Sequence, residues 1–184
     1  MDVQDEENLI DRIKNFLRKV EQTNRVPIAS TYLGQIFYSE NSIKSASTAI
    51  EHFRRSVELK CPEGCYFLGR CYFLGIGVGK CYSETLKLWN LSSDLGYKPA
   101  YFDLATFYEN GFKFVTPNIV LSIRYLFKSI TDKYSPGVFK LKELSYKYPE
   151  IFNIYEIENQ KDYSESSYHL SLMYEYGIFV SQNL

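Results

Sequence analysis

The feature that most constrains this chain is an internal repeat of 35 to 37 residues. Prolines recur at that spacing, at Pro27, Pro62, Pro99 and Pro136. Proline fits the first turn of a helix, where its missing N–H would have no partner in any case. The spacing therefore predicts four equivalent helix starts, and a period of this length is typical of chains built from stacked helix pairs.

The residues after these starts repeat as well. A leucine anchors each unit and a small residue precedes it by four positions, giving the pairs Ala29–Leu33, Gly64–Leu68, Ala100–Leu104, Gly137–Leu141 and Ser166–Leu170. In most units an aromatic residue follows the leucine by another four positions. Residues four apart share one helix face. The pattern predicts a buried stripe on which a neighbouring helix packs closely.

A second amphipathic helix is predicted after each of the first three. The ranges 45–59, 83–95 and 118–132 carry apolar residues at three-residue spacing, which indicates one helix face. No stretch of useful length alternates as a strand does. The predicted fold class is therefore all-α, a right-handed α-solenoid of antiparallel helix pairs whose neighbours bury a joint core.

The repeat array is predicted to span residues 26–184, with about three full repeats, one degenerate repeat and one that is incomplete at the C-terminus. Residues 1–25 precede it and are predicted to hold a capping helix at 6–22. Six apolar residues on one face of that helix would cover the first repeat: Leu9, Ile10, Ile13, Phe16, Leu17 and Val20. A free helix offered to a partner groove is the alternative.

The last repeat ends at Leu184, before its second helix could form. The sequence leaves open whether the chain is a complete protein or a fragment. An unfinished unit is expected to leave Leu172, Met173 and Tyr176 uncovered. Self-association through that surface is therefore a possible partner interaction.

Composition and charge exclude several classes of function. The chain has 184 residues, enough for a sizeable core. Its 21 basic and 22 acidic residues give a net charge of −1, without the basic footprint of a nucleic-acid-binding protein. No apolar run reaches the ~20 residues of a membrane helix, and the acidic start does not resemble a secretory signal. We therefore expect a cytoplasmic protein that neither binds nucleic acid nor inserts into a membrane.

The cysteines lie within one stretch of 21 residues: Cys61, Cys65, Cys71 and Cys81. Reduced thiols that act as small core residues are the favoured interpretation, because nothing else indicates an oxidising compartment. A disulfide from Cys61 to Cys65 or to Cys71 is the alternative. No metal site is expected, because neither of the two histidines stands at ligand spacing from the cysteines.

The glycine-rich stretch 75–80 is superficially similar to a phosphate-binding loop. That motif requires glycine where this chain has Leu74, and serine or threonine where it has Cys81. We expect an inter-helix turn whose glycines supply positive φ angles. No histidine or carboxylate stands in a recognisable catalytic motif, so we expect neither enzymatic activity nor a cofactor.

The segment 68–78 reads LGRCYFLGIGV and matches the pattern L-G-x-x-Y-x-x-G-x-G-V at every fixed position. Downstream, 86–89 and 92–97 are similar to the A-x-x-W and A-A-x-x-G-x segments of the same pattern. On these residues the chain resembles the Sel-one-like repeat family, which is related to the tetratricopeptide repeats. The resemblance extends over residues 26–184.

The resemblance implies a non-enzymatic adaptor or scaffold that binds a partner protein or peptide. Two alternatives come from the same family. One is a regulatory subunit of a membrane enzyme such as chitin synthase. The other is a cysteine-rich protein that binds or hydrolyses β-lactams, although such relatives carry a cysteine pair in each repeat, and here the first and third repeats have none.

If the array curves as tetratricopeptide arrays do, its first helices line a concave side. Three rows flank the anchor leucines there, outside the buried stripe. These rows predict the protein-binding residues Thr31, Gln35, Tyr66, Arg70, Phe73, Phe102, Thr106, Glu109 and Tyr168. Aromatic residues and arginine supply most hot spots in protein recognition. The alternative is that these large side chains pack into adjacent repeats.

Overall fold

A computed structural model describes residues 3–23, 26–40, 42–113, 115–131, 135–150, 153 and 164–178. Within these ranges, nine helices have defined bounds: α1 (Val3–Gln22), α2 (Ile28–Ser39), α3 (Ile43–Glu58), α4 (Pro62–Leu74), α5 (Tyr82–Asp94), α6 (Lys98–Asn110), α7 (Ile119–Ser129), α8 (Pro136–Lys147) and α9 (Ser164–Tyr176). The β-structure of the described part is one isolated bridge between Phe112 and Val115. The all-α prediction is confirmed.

The repeated prolines stand at helix starts, as predicted. Pro27 is the N-cap of α2, while Pro62 and Pro136 occupy the first turns of α4 and α8. Pro99 is the second residue of α6. Each position lies where a helix has N–H groups without an intrahelical acceptor, so proline costs no hydrogen bond there.

The glycine-rich stretch is a turn between α4 and α5, which confirms that prediction. Gly75 ends α4 in the left-handed conformation at φ 78°, and its N–H donates to the Cys71 carbonyl at 2.8 Å. Gly77 also has a positive φ, 68°, and a Cβ there would come within 2.8 Å of the Ala46 carbonyl oxygen. Glycine is therefore required at position 77 both for its backbone angles and for the close approach to α3.

The chain forms two compact units, Met1–Tyr97 and Lys98–Leu184. In the first unit, α2 with α3 and α4 with α5 form helix pairs, and α1 lies against α2. Side chains from both pairs fill the core: Ala49, Ile50, Phe53, Leu68, Cys71 and Leu88. A Cβ on Gly34 would lie 2.5 Å from the Phe53 ring, so the small residues of the repeat admit the large ones of the paired helix.

The second unit contains the α6–α7 pair, followed by α8 and α9. Its core includes Leu126, Leu141, Leu144, Leu172 and Met173. Leu172 is 6% exposed and Met173 is 1% exposed. The prediction that these two residues are left uncovered is wrong, because α9 packs them into the core formed by α7 and α8. Part of the predicted degenerate repeat, residues 151–152 and 154–157, lies outside the described residues.

Helix α1 lies on the first repeat as predicted, but its apolar stripe is covered only in part. Leu17 and Val20 are half-buried, whereas Leu9, Ile10, Ile13 and Phe16 are 41–65% exposed. The physical reason is that α1 packs mainly on a single helix, α2. One such contact covers a narrower face than the stripe spans.

Polar contacts along the edge of α1 hold the helix in place. Lys14 bonds Glu40, and its ammonium lies 5.1 Å from the centroid of the Phe37 ring. The Glu21 carboxylate is hydrogen-bonded to His52 Nδ1 at 2.8 Å, while the Glu21 carbonyl accepts from Arg55 Nη2 at 3.2 Å. Helix α1 is therefore bonded through Lys14 to the C-cap of α2 and through Glu21 to α3.

Candidate protein-binding site

Two of the predicted binding residues in the first unit are buried. Thr31 is fully buried and shares a 2.6 Å hydrogen bond with Ser56, and Tyr66 is only 8% exposed. The expectation that their row lies outside the buried stripe is wrong for these two positions. Helices α2 and α4 pack against each other, so the row between them is closed to solvent.

The predicted aromatic residues of α4 pack within the unit. Tyr66 contacts the ring of Tyr97 at a centroid distance of 5.2 Å. Phe73 lies 5.4 Å from Trp89 and 5.7 Å from Tyr82. Tyr66 and Phe73 thus make these ring contacts within their own repeat, whereas the alternative interpretation expected packing into adjacent repeats. These side chains shape the surface next to them rather than forming it.

Arg70 of α4 lies near three tyrosines, Tyr38 of α2, Tyr66 of α4 and Tyr97 in the turn after α5. It is half-buried, and its guanidinium Cζ is 5.8 Å from the centroid of the Tyr66 ring. Burial raises the pKa values of Tyr38 and Tyr97, and the nearby Arg70 charge opposes that rise at both hydroxyls. Among the described residues, no carboxylate forms an ion pair or hydrogen bond with Arg70.

We name the surface around this arginine the tyrosine–arginine patch. It is formed by Tyr32, Gln35, Tyr38, Arg70 and Tyr97, and the buried Tyr66 lies beneath it. Tyr32 is 49% exposed, and Gln35, Tyr38 and Tyr97 are half-exposed. Tyr32 is close enough to Tyr97 to contribute to its raised pKa. Residues from α2, α4 and the turn after α5 thus meet at one surface.

Two grooves share lining residues with the patch. The α1–α2 groove, of about 370 Å³, is lined by Ile13, Leu17, Tyr32, Gln35, Ile36 and Ser39. The α3 groove, of about 330 Å³, is lined by Tyr38, Ser42, Ile43, Ala46, Ile76 and Gly77. Both grooves contain aliphatic side chains, and Ile43 is 91% exposed.

The sequence prediction of this surface omitted Tyr32, Tyr38 and Tyr97. Tyr38 follows Leu33 by five positions, as Phe73 follows Leu68, so the repeat register could have identified it. Tyr97 stands in the turn after α5, where the register of the first helices gives no signal. Its place beside Tyr66 depends on how the α4–α5 pair closes.

The predicted residues in the second unit are mostly engaged in that unit. Phe102 packs against the core, and Thr106 Oγ1 donates to the Phe102 carbonyl at 3.1 Å. Glu109 is ion-paired with Lys140 at 3.0 Å, and its side chain is only 10% exposed. Tyr168 is 57% exposed. Of these four side chains, Tyr168 is the most accessible to a partner.

The four cysteines are unpaired thiols in the structure. Burial raises the pKa of Cys65 to about 11 and that of Cys71 to about 12. The described residues include no group of three or more histidine, cysteine or acidic side chains able to hold a metal ion. None of the described helices combines the length and hydropathy needed to span a membrane.

A family model for the Sel1 repeat matches residues 62–97, 98–132 and 164–184. No curated protein sequence matches the chain significantly. The fold is similar to the crystal structure of a protective antigen of uropathogenic Escherichia coli strains that displays an SLR fold, with a TM-score of 0.66 and 20% identity over 92% of this chain. It is also similar to a Sel1 repeat protein from Oxalobacter formigenes, with a TM-score of 0.61 and 17% identity over 87% of this chain.

These two structures are of longer proteins, and this chain spans 38% and 48% of their respective lengths. At such low identity the similarity concerns the fold alone, and it confirms the predicted α-solenoid class. The family match falls on the α4–α5 and α6–α7 pairs and on the segment that contains α9. The matched repeats and the similarity of the fold agree with each other, and the chain belongs to the Sel1 repeat family.

Proposed function

We propose that this chain is a non-enzymatic scaffold that binds a partner protein or peptide through the tyrosine–arginine patch of its first unit. The observation that carries the proposal is the accessible set of tyrosines around Arg70, bordered by two grooves. Tyrosine and arginine are enriched among the residues that dominate binding energy. Sel1 repeat proteins commonly act as interaction adaptors, which supports the same function.

The predicted binding residues divide into two roles under this proposal. Gln35 and Arg70 contact the partner, and Tyr168 is accessible for a contact in the second unit. Thr31, Tyr66 and Phe73 hold the surface in shape from beneath. A well-packed floor keeps the exposed side chains in fixed positions and lowers the entropy lost on binding.

The test compares the proteins that the full chain captures with those captured by a patch variant. The variant combines Gln35→Ala with Arg70→Ala, since neither side chain belongs to the hydrophobic core. The matched control combines Glu51→Ala with Arg54→Ala, two exposed residues of α3. Circular dichroism and melting curves of all three proteins establish that the fold is retained.

We expect partners that the native chain and the control capture equally, and that the patch variant loses. Each such partner is then purified and its binding measured directly by titration. Identical capture by all three proteins would place the interaction elsewhere on the chain and contradict the proposal.

A further inference from the structure

We propose that the tyrosine–arginine patch recognises an acidic side chain of the partner, with the Arg70 guanidinium binding its carboxylate and apolar neighbours entering the two grooves. This inference rests on the proposed function. It adds the chemical class of the partner segment, an acidic residue flanked by apolar ones.

The first support is the contrast between Arg70 and two half-buried lysines, Lys14 and Lys140. Lys14 is paired with Glu40, and Lys140 is paired with both Glu109 and Glu143. Arg70 is half-buried too, but among the described residues it has no carboxylate partner. A partly desolvated cation without an anion is costly, and stacking on one ring compensates for only part of that cost. An incoming carboxylate would supply the missing partner.

The geometry of arginine favours a carboxylate. The guanidinium is planar and presents a fork of N–H donors that two carboxylate oxygens can accept at once. Three tyrosines surround Arg70, so part of its surface is already shielded from water, which strengthens a charge-assisted hydrogen bond. The charge of Arg70 also acts to lower the pKa values of both Tyr38 and Tyr97.

The local charge selects a monoanion rather than a phosphate group. Glu63 is near enough to Tyr97 to raise its pKa, so one carboxylate of the chain already faces this surface. The Glu63 carboxylate accepts a hydrogen bond from the Cys61 thiol at 3.3 Å. A phosphate dianion is usually bound by several cations, whereas a single side-chain carboxylate matches a single arginine.

The grooves define what flanks the acidic residue. Tyr38 belongs both to the surroundings of Arg70 and to the α3 groove, and Tyr32 belongs both to the patch and to the α1–α2 groove. A bound segment with its carboxylate at Arg70 therefore lies close to aliphatic-lined grooves. We expect an apolar residue near the acidic one on at least one side.

The experiment selects peptides from a random dodecapeptide library on the full chain, with Arg54→Gln as the matched control and Arg70→Gln as the variant. Selected sequences are synthesised with free and with amidated C-termini, and their affinities are measured by fluorescence anisotropy. A second set replaces the selected Asp or Glu by Asn or Gln. Arg70→Lys tests whether a point charge without the fork suffices.

We expect the selected peptides to share one acidic position with an apolar neighbour. Arg70→Gln should weaken their binding by about tenfold or more, and Arg54→Gln should leave it unchanged. The Asp→Asn or Glu→Gln peptides should lose the same factor on the native chain and lose nothing further on Arg70→Gln. Raising the salt concentration should reduce the difference.

Three results would overturn the inference. Peptides that bind the native chain and Arg70→Gln equally would show that Arg70 makes no carboxylate contact, and the proposed function would remain in place. Peptides that lose binding on amidation, without an acidic side chain, would transfer the recognition to a terminal carboxylate. Failure to select any peptide that binds the native chain would contradict both the inference and peptide binding at this surface.

Discussion

Trp89 of α5 donates its indole Nε1–H to the backbone carbonyl of Tyr66 on α4 at 3.2 Å, and the same ring covers Gly69 one turn further along. The tryptophan and the glycine are therefore one packing unit, since the ring occupies the space that a side chain at position 69 would need. This contact closes the α4–α5 pair directly beneath the tyrosine–arginine patch.

Gly69→Ala should destabilise the chain by about 1–3 kcal/mol, because the new Cβ would lie 2.6 Å from the Trp89 ring and force it to move. Urea unfolding followed by circular dichroism measures the change. The control is Gly79→Ala, where no atom lies within 4 Å of the added Cβ. Equal midpoints for Gly69→Ala and the native chain would show that α4 and α5 are less tightly packed than described.

Removal of the Glu109 carboxylate should destabilise the second unit more than removal of the Glu143 carboxylate. Both bond Lys140, but the Glu109 side chain is 10% exposed and the Glu143 side chain is 61% exposed. We expect Glu109→Gln to cost about 1–3 kcal/mol and Glu143→Gln to cost about 0.5 kcal/mol or less. Thermal unfolding at neutral pH compares the two variants.

The cost of Glu109→Gln should depend on pH in a defined direction. Burial lowers the Lys140 pKa, but hydrogen bonds from Lys140 to Glu109 and Glu143 outweigh it, so the pKa is raised above its usual 10.5. The charged lysine is thus favoured in the folded state, and its stabilisation is complete below the ordinary pKa and lost as pH rises through the raised one. A difference between native and variant protein that grows with alkaline pH would contradict the ion pair.

Glu40→Gln should loosen α1 from the first repeat. Hydrogen bonds from Lys14, and then from Ser45, lower the Glu40 pKa although slight burial opposes them. The stabilisation is therefore present above the ordinary carboxyl pKa and lost as pH falls through the lowered value. Hydrogen exchange of α1 should be faster in the variant at neutral pH, and this difference should disappear in acid.

The matched control for that experiment is Asp11→Asn. Asp11 lies 3.8 Å from the same lysine, but its side chain is 74% exposed. Exposed pairs of this kind contribute little, so we expect the exchange of α1 to be unchanged. Faster exchange in both variants alike would assign the effect to the net charge of α1 instead of the Lys14–Glu40 contact.

Cys81 should be the first thiol to react with iodoacetamide. Hydrogen bonds with the Ser83 hydroxyl at 3.2 Å and with the Glu84 backbone N–H lower its pKa, and its side chain is half-exposed. Cys65 and Cys71 are buried with raised pKa values, so they should react only after unfolding. Peptide mass spectrometry after timed alkylation gives the order.

Ser83→Ala removes the larger cause of the lowered Cys81 pKa. Alkylation of Cys81 in the variant should then be slower near neutral pH. At alkaline pH it should approach the native rate, because Cys81 is then ionised in both the native chain and the variant. The denatured chain should show four reactive thiols. Fewer than four would indicate a disulfide, and early modification of Cys71 would contradict the described packing of α4.

The helix pairs were predictable from the sequence because the signals that specify them are local. Leu33, Leu104 and Leu141 each stand four residues after a small residue, and all three are fully buried. Periodicity of this kind depends only on the geometry of one helix. The same is true of Gly75, where the left-handed angle that ends a helix is a property of a single residue.

The binding surface was only partly predictable, because it depends on which helices meet. Gln35 and Arg70 occupy equivalent positions in the repeat and are both accessible, as the register predicted. Thr31 and Tyr66 also occupy equivalent positions, but both are shielded from solvent because α2 packs against α4. No pattern within one helix contains that information.

The sequence by itself determined the helix pairs to within a few residues, and the small and leucine positions of the buried stripe in the first four units, since these follow from spacing along one chain segment. The tertiary structure alone decided that Arg70 lies among tyrosines from three elements and is ion-paired with no carboxylate of the described residues. It also decided that Glu109 is paired with Lys140 and that the apolar stripe of α1 is partly exposed. Each of these depends on distances between residues far apart in the chain, which packing fixes and local periodicity does not.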